Sequence, residues 1–195
     1  TQEDAWKELV RYDSMETQDT EVEPAIVQLK TSHQTGSGII VQIAEDSFLL
    51  STCAHVVEEE PEITVIFQDG TSVMGTVLER SADFDLAFLK VASQDIPYET
   101  RVKLRCASIK EAAWTQLAEN DHVFILASSR KPAGDYYEGY VQYREIYVPE
   151  FDCYMLCIKS TPIPGMSGGG IFDRQGNLIA MVNGGTASGQ VVGLS

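Results

Sequence analysis

From Pro24 onward the chain is cut into short apolar runs, each about the length of a β-strand, with turn signals between them and almost no helical periodicity. The pattern predicts strands at Ala25–Leu29, Ile39–Ile43, Ser47–Ser51, Ile63–Phe67, Ser72–Leu78 and Leu86–Val91. After a less regular stretch it predicts strands at Val123–Ala127, Tyr137–Tyr143, Tyr154–Ser160, Gly170–Phe172, Leu178–Val182 and Val191–Leu194. Asp69-Gly70 and Gln175-Gly176 mark turns between them, and Thr31–Gly38 reads as a polar, glycine-marked turn. Short strands in this number exclude a helical or α/β fold and require a sandwich or barrel. The break near Cys106–Asn120 divides them into two packed β units, expected over residues 24–108 and 120–195. The first 23 residues differ: Asp4–Arg11 places Trp6, Leu9 and Val10 at helical spacing, and Asp13–Glu23 reads as a polar, acidic linker.

The bulk numbers narrow the function classes. A net charge of −15 repels a phosphate backbone, so nucleic-acid binding is not expected. No stretch approaches the roughly 20 apolar residues of a membrane helix. The four cysteines, Cys53, Cys106, Cys153 and Cys157, permit two disulfides that a chain of this length does not need. Cys153 and Cys157 lie four apart in one predicted strand, too far apart to bond each other. All four are read as free thiols, which favours a reducing intracellular compartment. The chain opens on Thr and ends in a strand-like run, so it is expected to be a piece of a longer product.

Three local patterns carry chemistry. Around Ser167 the sequence is Pro164-Gly165-Met166-Ser167-Gly168-Gly169-Gly170. Small neighbours expose a hydroxyl and let the N–H groups of Gly165 and Ser167 meet one developing oxyanion. Read alone, the same residues make a glycine-rich turn. His55 follows Ser51-Thr52-Cys53-Ala54, and read alone is a partly buried histidine satisfied by a carbonyl. Asp85 stands at the lip of the strand that begins at Leu86, and read alone is a turn residue, as is its rival Asp83. His33 and His122 read as solvated loop residues. In conjunction, a base, an orienting carboxylate and a nucleophile occur in the order His, Asp, Ser on a chain of two β units.

With Thr35-Gly36-Ser37-Gly38-Ile39-Ile40, Thr52-Cys53-Ala54-His55-Val56-Val57, Asp83-Phe84-Asp85-Leu86-Ala87 and Gly165-Met166-Ser167-Gly168-Gly169, the chain resembles the trypsin-like (chymotrypsin-fold) serine peptidases. Among them it is most similar to the HtrA/Deg branch, in its protease domain and without the PDZ domain many members carry. The resemblance covers about Pro24 to Ser195 and selects Asp85, which directly precedes Leu-Ala, over Asp83. It implies an all-β fold of two packed six-stranded antiparallel barrels, with a short N-terminal helical, acidic segment before them. It further implies a His55-Asp85-Ser167 triad, an oxyanion hole from Gly165 and Ser167, and hydrolysis of peptide bonds in protein or peptide substrates through an acyl-enzyme.

Thr161-Pro162-Ile163 and Val182-Asn183-Gly184-Gly185 fall where the family builds the pocket for the residue before the scissile bond, with Asn183 and Gly184 the expected contacts in the second segment. No acid lies in those segments, so small or medium apolar side chains are expected there. No metal and no cofactor is called for. Trimers occur in the branch, but the aromatic segment that builds them is not recognisable in Thr1–Glu23, so the oligomeric state stays open. Met166 and Gly170 depart from the family pattern and keep an alternative alive: a catalytically inactive or latent peptide-binding module on the same fold. A metal or redox site from Cys53, His55, Cys153 and Cys157 lacks any Cys-x-x-Cys spacing. Cys53 as nucleophile lacks a glycine-built oxyanion hole, and reads as a small buried residue behind His55.

Overall fold

The computed structural model describes residues 22–195, so the expected helix at Asp4–Arg11 lies outside the described residues, as does all but the end of the acidic linker. Twelve strands follow in chain order: β1 Ile26–Lys30, β2 Thr35–Ile43, β3 Ser47–Thr52, β4 Glu62–Ile66, β5 Ser72–Arg80, β6 Ala87–Ala92, β7 His122–Ala127, β8 Asp135–Val148, β9 Cys153–Lys159, β10 Gly170–Phe172, β11 Leu178–Thr186 and β12 Gln190–Leu194. They close into two antiparallel barrels, ordered β1-β2-β3-β6-β5-β4 and β10-β11-β12-β9-β8-β7. Closure leaves neither barrel a free sheet edge.

Among the described residues three α-helices stand outside the barrels, α1 Ala54–Val57, α2 Tyr98–Arg101 and α3 Glu111–Gln116, with two short 3-10 turns at Glu23–Ala25 and Ser93–Asp95. Helices α2 and α3 lie between β6 and β7, in and beside the stretch where β patterning lapses. Among the described residues no helix is long and apolar enough to cross a membrane.

Alternation along the strands fills two cores. Val27, Leu29, Ile39, Leu50, Ile63, Val65, Leu89 and Val91 pack inside the first barrel, and that cluster also takes in Leu126, Phe172 and Met181 of the second. Val123, Ile125, Val141, Leu156, Ile158, Ile171 and Val191 fill the second. The barrels therefore pack on each other through apolar contacts as well as through the hydrogen bonds described below.

Several strands exceed their sequence signal. The polar turn expected over Thr31–Gly38 is a turn only at its start, because β2 begins at Thr35. Gly36, Ser37 and Gly38 are buried within that strand. A Cβ on Gly36 would come within 2.6 Å of Val56, so this strand uses glycine to let α1 approach. Strand β8 runs on to Val148 through register shifts that break its alternation. Strand β11 continues past Val182 through Asn183-Gly184-Gly185 to Thr186. His122 opens β7 half-buried, not in a solvated loop, whereas His33 is exposed in its turn as expected.

Candidate active site

The expected site residues gather where the two barrels meet. His55 sits in the single turn of α1, directly after β3. That turn is too short to hold itself, and side chains from elsewhere secure it. Gln34 Nε2 donates to the His55 carbonyl at 2.7 Å, and Arg80 Nη2 donates to the Glu60 carbonyl at 2.6 Å, just beyond the turn. Nothing in the composition around His55 signals either residue, because the contacts span 20 or more positions along the chain.

Asp85 meets His55 with both carboxylate oxygens. Oδ1 accepts the His55 backbone N–H at 2.9 Å, and Oδ2 lies 2.6 Å from ring Nδ1. The ring is 46% exposed and the carboxylate 13%, so one face of the pair is open and the other sealed. Asn183 completes the seal. Its Nδ2 donates to the Asp85 carbonyl at 2.8 Å and to Oδ2 at 3.1 Å, while its Oδ1 accepts Leu194 N–H at 2.9 Å. Burial pushes the Asp85 carboxyl up, but the bonds from His55 and Asn183 outweigh it and hold the group below its ordinary value. Asp83 is exposed, and its turn is held by Ser81 Oγ, which accepts from the N–H groups of Asp83 and Phe84.

Cys53 lies wholly buried behind this pair, its thiol donating to the Val182 carbonyl at 3.1 Å. Burial and the neighbouring Asp85 push the thiol well up, so it stays protonated. Cys53, His55 and Asp85 do offer ligand atoms within 4.8 Å of one another. A protonated thiol and a carboxylate already shared between His55 and Asn183 make a poor donor set for a cation. Cys153 and Cys157 belong to a separate apolar cluster with Met155 and Val192, and all four cysteines are free.

Ser167 follows Met166 in the loop before β10. Its Oγ lies 3.3 Å from the Asn183 carbonyl, which is the acceptor for its hydroxyl. Gly165 and Gly168 on either side adopt φ of +85° and +87°. A Cβ on Gly168 would sit 1.9 Å from the Ser37 carbonyl, so the loop presses on β2 of the other barrel. The N–H groups of Met166, Gly168 and Gly169 are used inside the fold, on Ile163, Val182 and Met166 carbonyls. Among the described residues those of Gly165 and Ser167 have no such use.

Met166 and Gly170 have structural reasons for their identities. The Met166 side chain is 2% exposed and anchors the loop in the second-barrel core. Gly170 lies in β10, where a Cβ would come 2.5 Å from the Phe172 ring.

The two expected pocket walls face each other closely. A Cβ on Gly185 would fall 2.3 Å from Pro162 Cβ, and one on Gly184 would fall 3.2 Å from the Phe151 ring. Thr161 is exposed, Pro162 and Ile163 half-buried. Asn183 contributes its main chain on this side, since its side chain is turned under Asp85. Phe151, from the β8–β9 connection, packs beside Gly184, a contact that strand patterning does not reveal.

The trypsin-like peptidase domain model matches residues 36–181. The chain is 28% identical over 163 residues to the HtrA-like serine protease of Staphylococcus aureus strain USA300, covering 76% of this chain and 20% of that protein. It is likewise 28% identical over 167 residues to its counterpart in the bovine strain RF122 / ET3-1, with the same coverage. The chain thus spans about one fifth of the length of these curated relatives. Among solved structures it is similar to the inactive form of the Rv3671c protease of M. tuberculosis H37Rv in a serine-to-alanine mutant, with TM-score 0.70, 18% identity, and 89% of this chain and 82% of that one covered. It is also similar to a variant of the HtrA-type protease AlgW with a tripeptide, with TM-score 0.71, 20% identity, and 88% and 56% covered. At these identities the structures attest the two-barrel fold.

Proposed function

Because the chain belongs to the trypsin-like peptidase family, we propose that it is a serine endopeptidase working through His55, Asp85 and Ser167. The observation that carries this reading is the double grip of Asp85 on His55, at 2.9 Å to the backbone N–H and 2.6 Å to ring Nδ1. An ionised carboxylate at that nitrogen selects the tautomer with the proton on Nδ1 and leaves the Nε2 lone pair as base. The Ser167 hydroxyl leaves the Asn183 carbonyl and gives its proton to Nε2 as Oγ bonds the substrate carbonyl carbon. The resulting oxyanion is received by the N–H groups of Gly165 and Ser167. Asp85 stays ionised and stabilises the imidazolium. Nε2 returns its proton to the departing amine, leaving an acyl group on Oγ. A water deprotonated by the same nitrogen then adds to the acyl carbon, and the proton passes to Oγ as its bond to the acid breaks.

Proteins and peptides are the substrates under this reading. Pro162 packs directly on Gly185 and neither segment carries an acid, which favours small apolar side chains before the scissile bond. One observation favours a second reading, a latent or inactive peptide-binding module: the Ser167 hydroxyl rests on Asn183 and not on His55. A fluorophosphonate probe separates the two. Covalent labelling mapped to Ser167 and lost in Ser167→Ala is the expected result. Unlabelled protein that still binds peptides would favour the second reading.

A further inference from the structure

The segment Thr35–Ile40 carries a polar side chain with no part in the reaction above. Ser37 is wholly buried on β2, opposite Gln28 of β1, yet its polar atoms reach across to the second barrel. Its N–H donates to the Ser167 carbonyl at 2.9 Å. Its hydroxyl donates to the Gly165 carbonyl at 2.9 Å and accepts Ser128 N–H at 2.9 Å. Its own carbonyl accepts the Thr52 hydroxyl at 2.7 Å.

The hydroxyl has no choice of direction. Ser128 N–H can only donate, so Ser37 Oγ accepts there, and its single proton is left for the Gly165 carbonyl. The two carbonyls that Ser37 holds flank Met166, whose own N–H donates to Ile163 at 3.2 Å. The Gly165–Met166 peptide plane is therefore pinned at both ends, its C=O on Ser37 and its N–H on Ile163. A planar peptide held at both polar groups does not turn. Without the hydroxyl this plane is the one most free to move, because Gly165 has no Cβ to resist rotation.

We propose that Ser37 is a positioning residue for the oxyanion loop. Its hydroxyl locks the peptide plane that joins the two oxyanion donors, Gly165 N–H and Ser167 N–H. The inference rests on the endopeptidase reading given above. It makes the first barrel, which supplies His55 and Asp85, also the part that sets the loop of the second barrel on which the transition state depends.

Amide hydrogen exchange and steady-state kinetics test it together. In a Ser167→Ala background, Ser37→Ala is expected to speed exchange about tenfold or more at the N–H groups of Met166, Gly168 and Gly169, to expose Ser128 N–H, which loses its acceptor, and to leave both barrels otherwise unchanged. With Ser167 present, Ser37→Ala is expected to lower kcat about 10- to 100-fold, less than the ~10²–10³ lost with a whole oxyanion donor. KM is expected to stay within about threefold, since ground-state binding does not use the oxyanion donors. Affinity for a peptide trifluoromethyl ketone should fall with kcat. Ser37→Cys, which keeps a weaker donor, should recover part of each loss.

Unchanged exchange in the loop would overturn the inference. So would exchange accelerated over the whole chain, or kcat and KM altered in proportion. Should Ser37→Ala not fold, the thiol variant decides alone, by intermediate values if the inference holds and by parental values if it does not. A parent chain that hydrolyses no peptide but shows the local exchange change would overturn the endopeptidase reading and leave the loop assignment standing.

Discussion

Gly168→Ala is expected to cost far more stability than a glycine-to-alanine change at the same backbone conformation elsewhere. Gly168 and Gly70 both sit at φ of +87°, but they face different surroundings. A methyl at position 70 meets nothing within 4 Å, and one at 168 falls 1.9 Å from the Ser37 carbonyl and 2.5 Å from Thr52 Oγ1. The approach to the Ser37 carbonyl is about 1.4 Å inside an ordinary C···O contact of ~3.3 Å. Alanine at positive φ costs about 1–2 kcal/mol at either site. Only position 168 adds about 1–3 kcal/mol of overpacking. It also adds about 1 kcal/mol for the displaced Thr52–Ser37 hydrogen bond.

The working expectation is a loss of about 1–2 kcal/mol for Gly70→Ala and about 3–6 for Gly168→Ala. Urea unfolding followed by tryptophan fluorescence reads both, with the midpoint shifted and the slope m unchanged. The loop shift at 168 should also lower peptide hydrolysis by about 10²-fold, because a displacement near 1 Å at the nucleophile costs that much. Gly70→Ala should not alter hydrolysis. Equal stability losses in the two variants would refute the claim that the loop presses on β2.

Asp85→Asn should lower kcat by about 10³–10⁴-fold while leaving the fold intact, since the amide selects the wrong imidazole tautomer; a loss under tenfold would contradict the role. The pH dependence of stability follows from the same carboxylate. Its folded pKa is depressed, so its contribution is present above the unfolded value of about 3.9 and is lost as pH falls through the lower folded value. The stability gap between parent and Asp85→Asn should therefore close below about pH 4, and a gap independent of pH would argue against it. Asn183→Ala removes two bonds to Asp85 and strands Leu194 N–H. It should cost about 1–3 kcal/mol in urea unfolding and move the Asp85 titration back toward the ordinary value in an NMR carboxyl titration. Pro162→Ala should raise the kcat/KM ratio of leucine over alanine before the scissile bond by about tenfold, the scale of pocket discrimination per methylene; a peptide-library profile unchanged by the substitution would count against Pro162 as a pocket wall.

The order and type of the strands were legible because each is a half-buried β segment closed by a turn residue. The same local signal missed what depends on distant neighbours. Thr35-Gly36-Ser37-Gly38 looks like a turn because glycine and serine usually make one. It is a buried strand because Val56 and the Ser167 loop come too close for side chains. Strand β11 reads as ending at Val182 because Asn183-Gly184-Gly185 is a breaker pattern. It continues because β12 pairs with it as far as Thr186. His55, Asp85 and Ser167 could be picked out by their surroundings in sequence. Gln34, Asn183, Phe151 and Ser37 could not be assigned their contacts, since each acts on residues at least 20 positions away.

Under the proposed function Ser167, activated through His55 and Asp85, cleaves peptide bonds. Hydrolysis of casein and of a labelled peptide library by the parent chain and by Ser167→Ala, side by side, tests it most directly. Turnover in the parent and a loss of about 10³-fold or more in the variant, with unchanged unfolding in urea, are expected. Equal turnover in the two proteins would contradict that function, and so would no turnover in either.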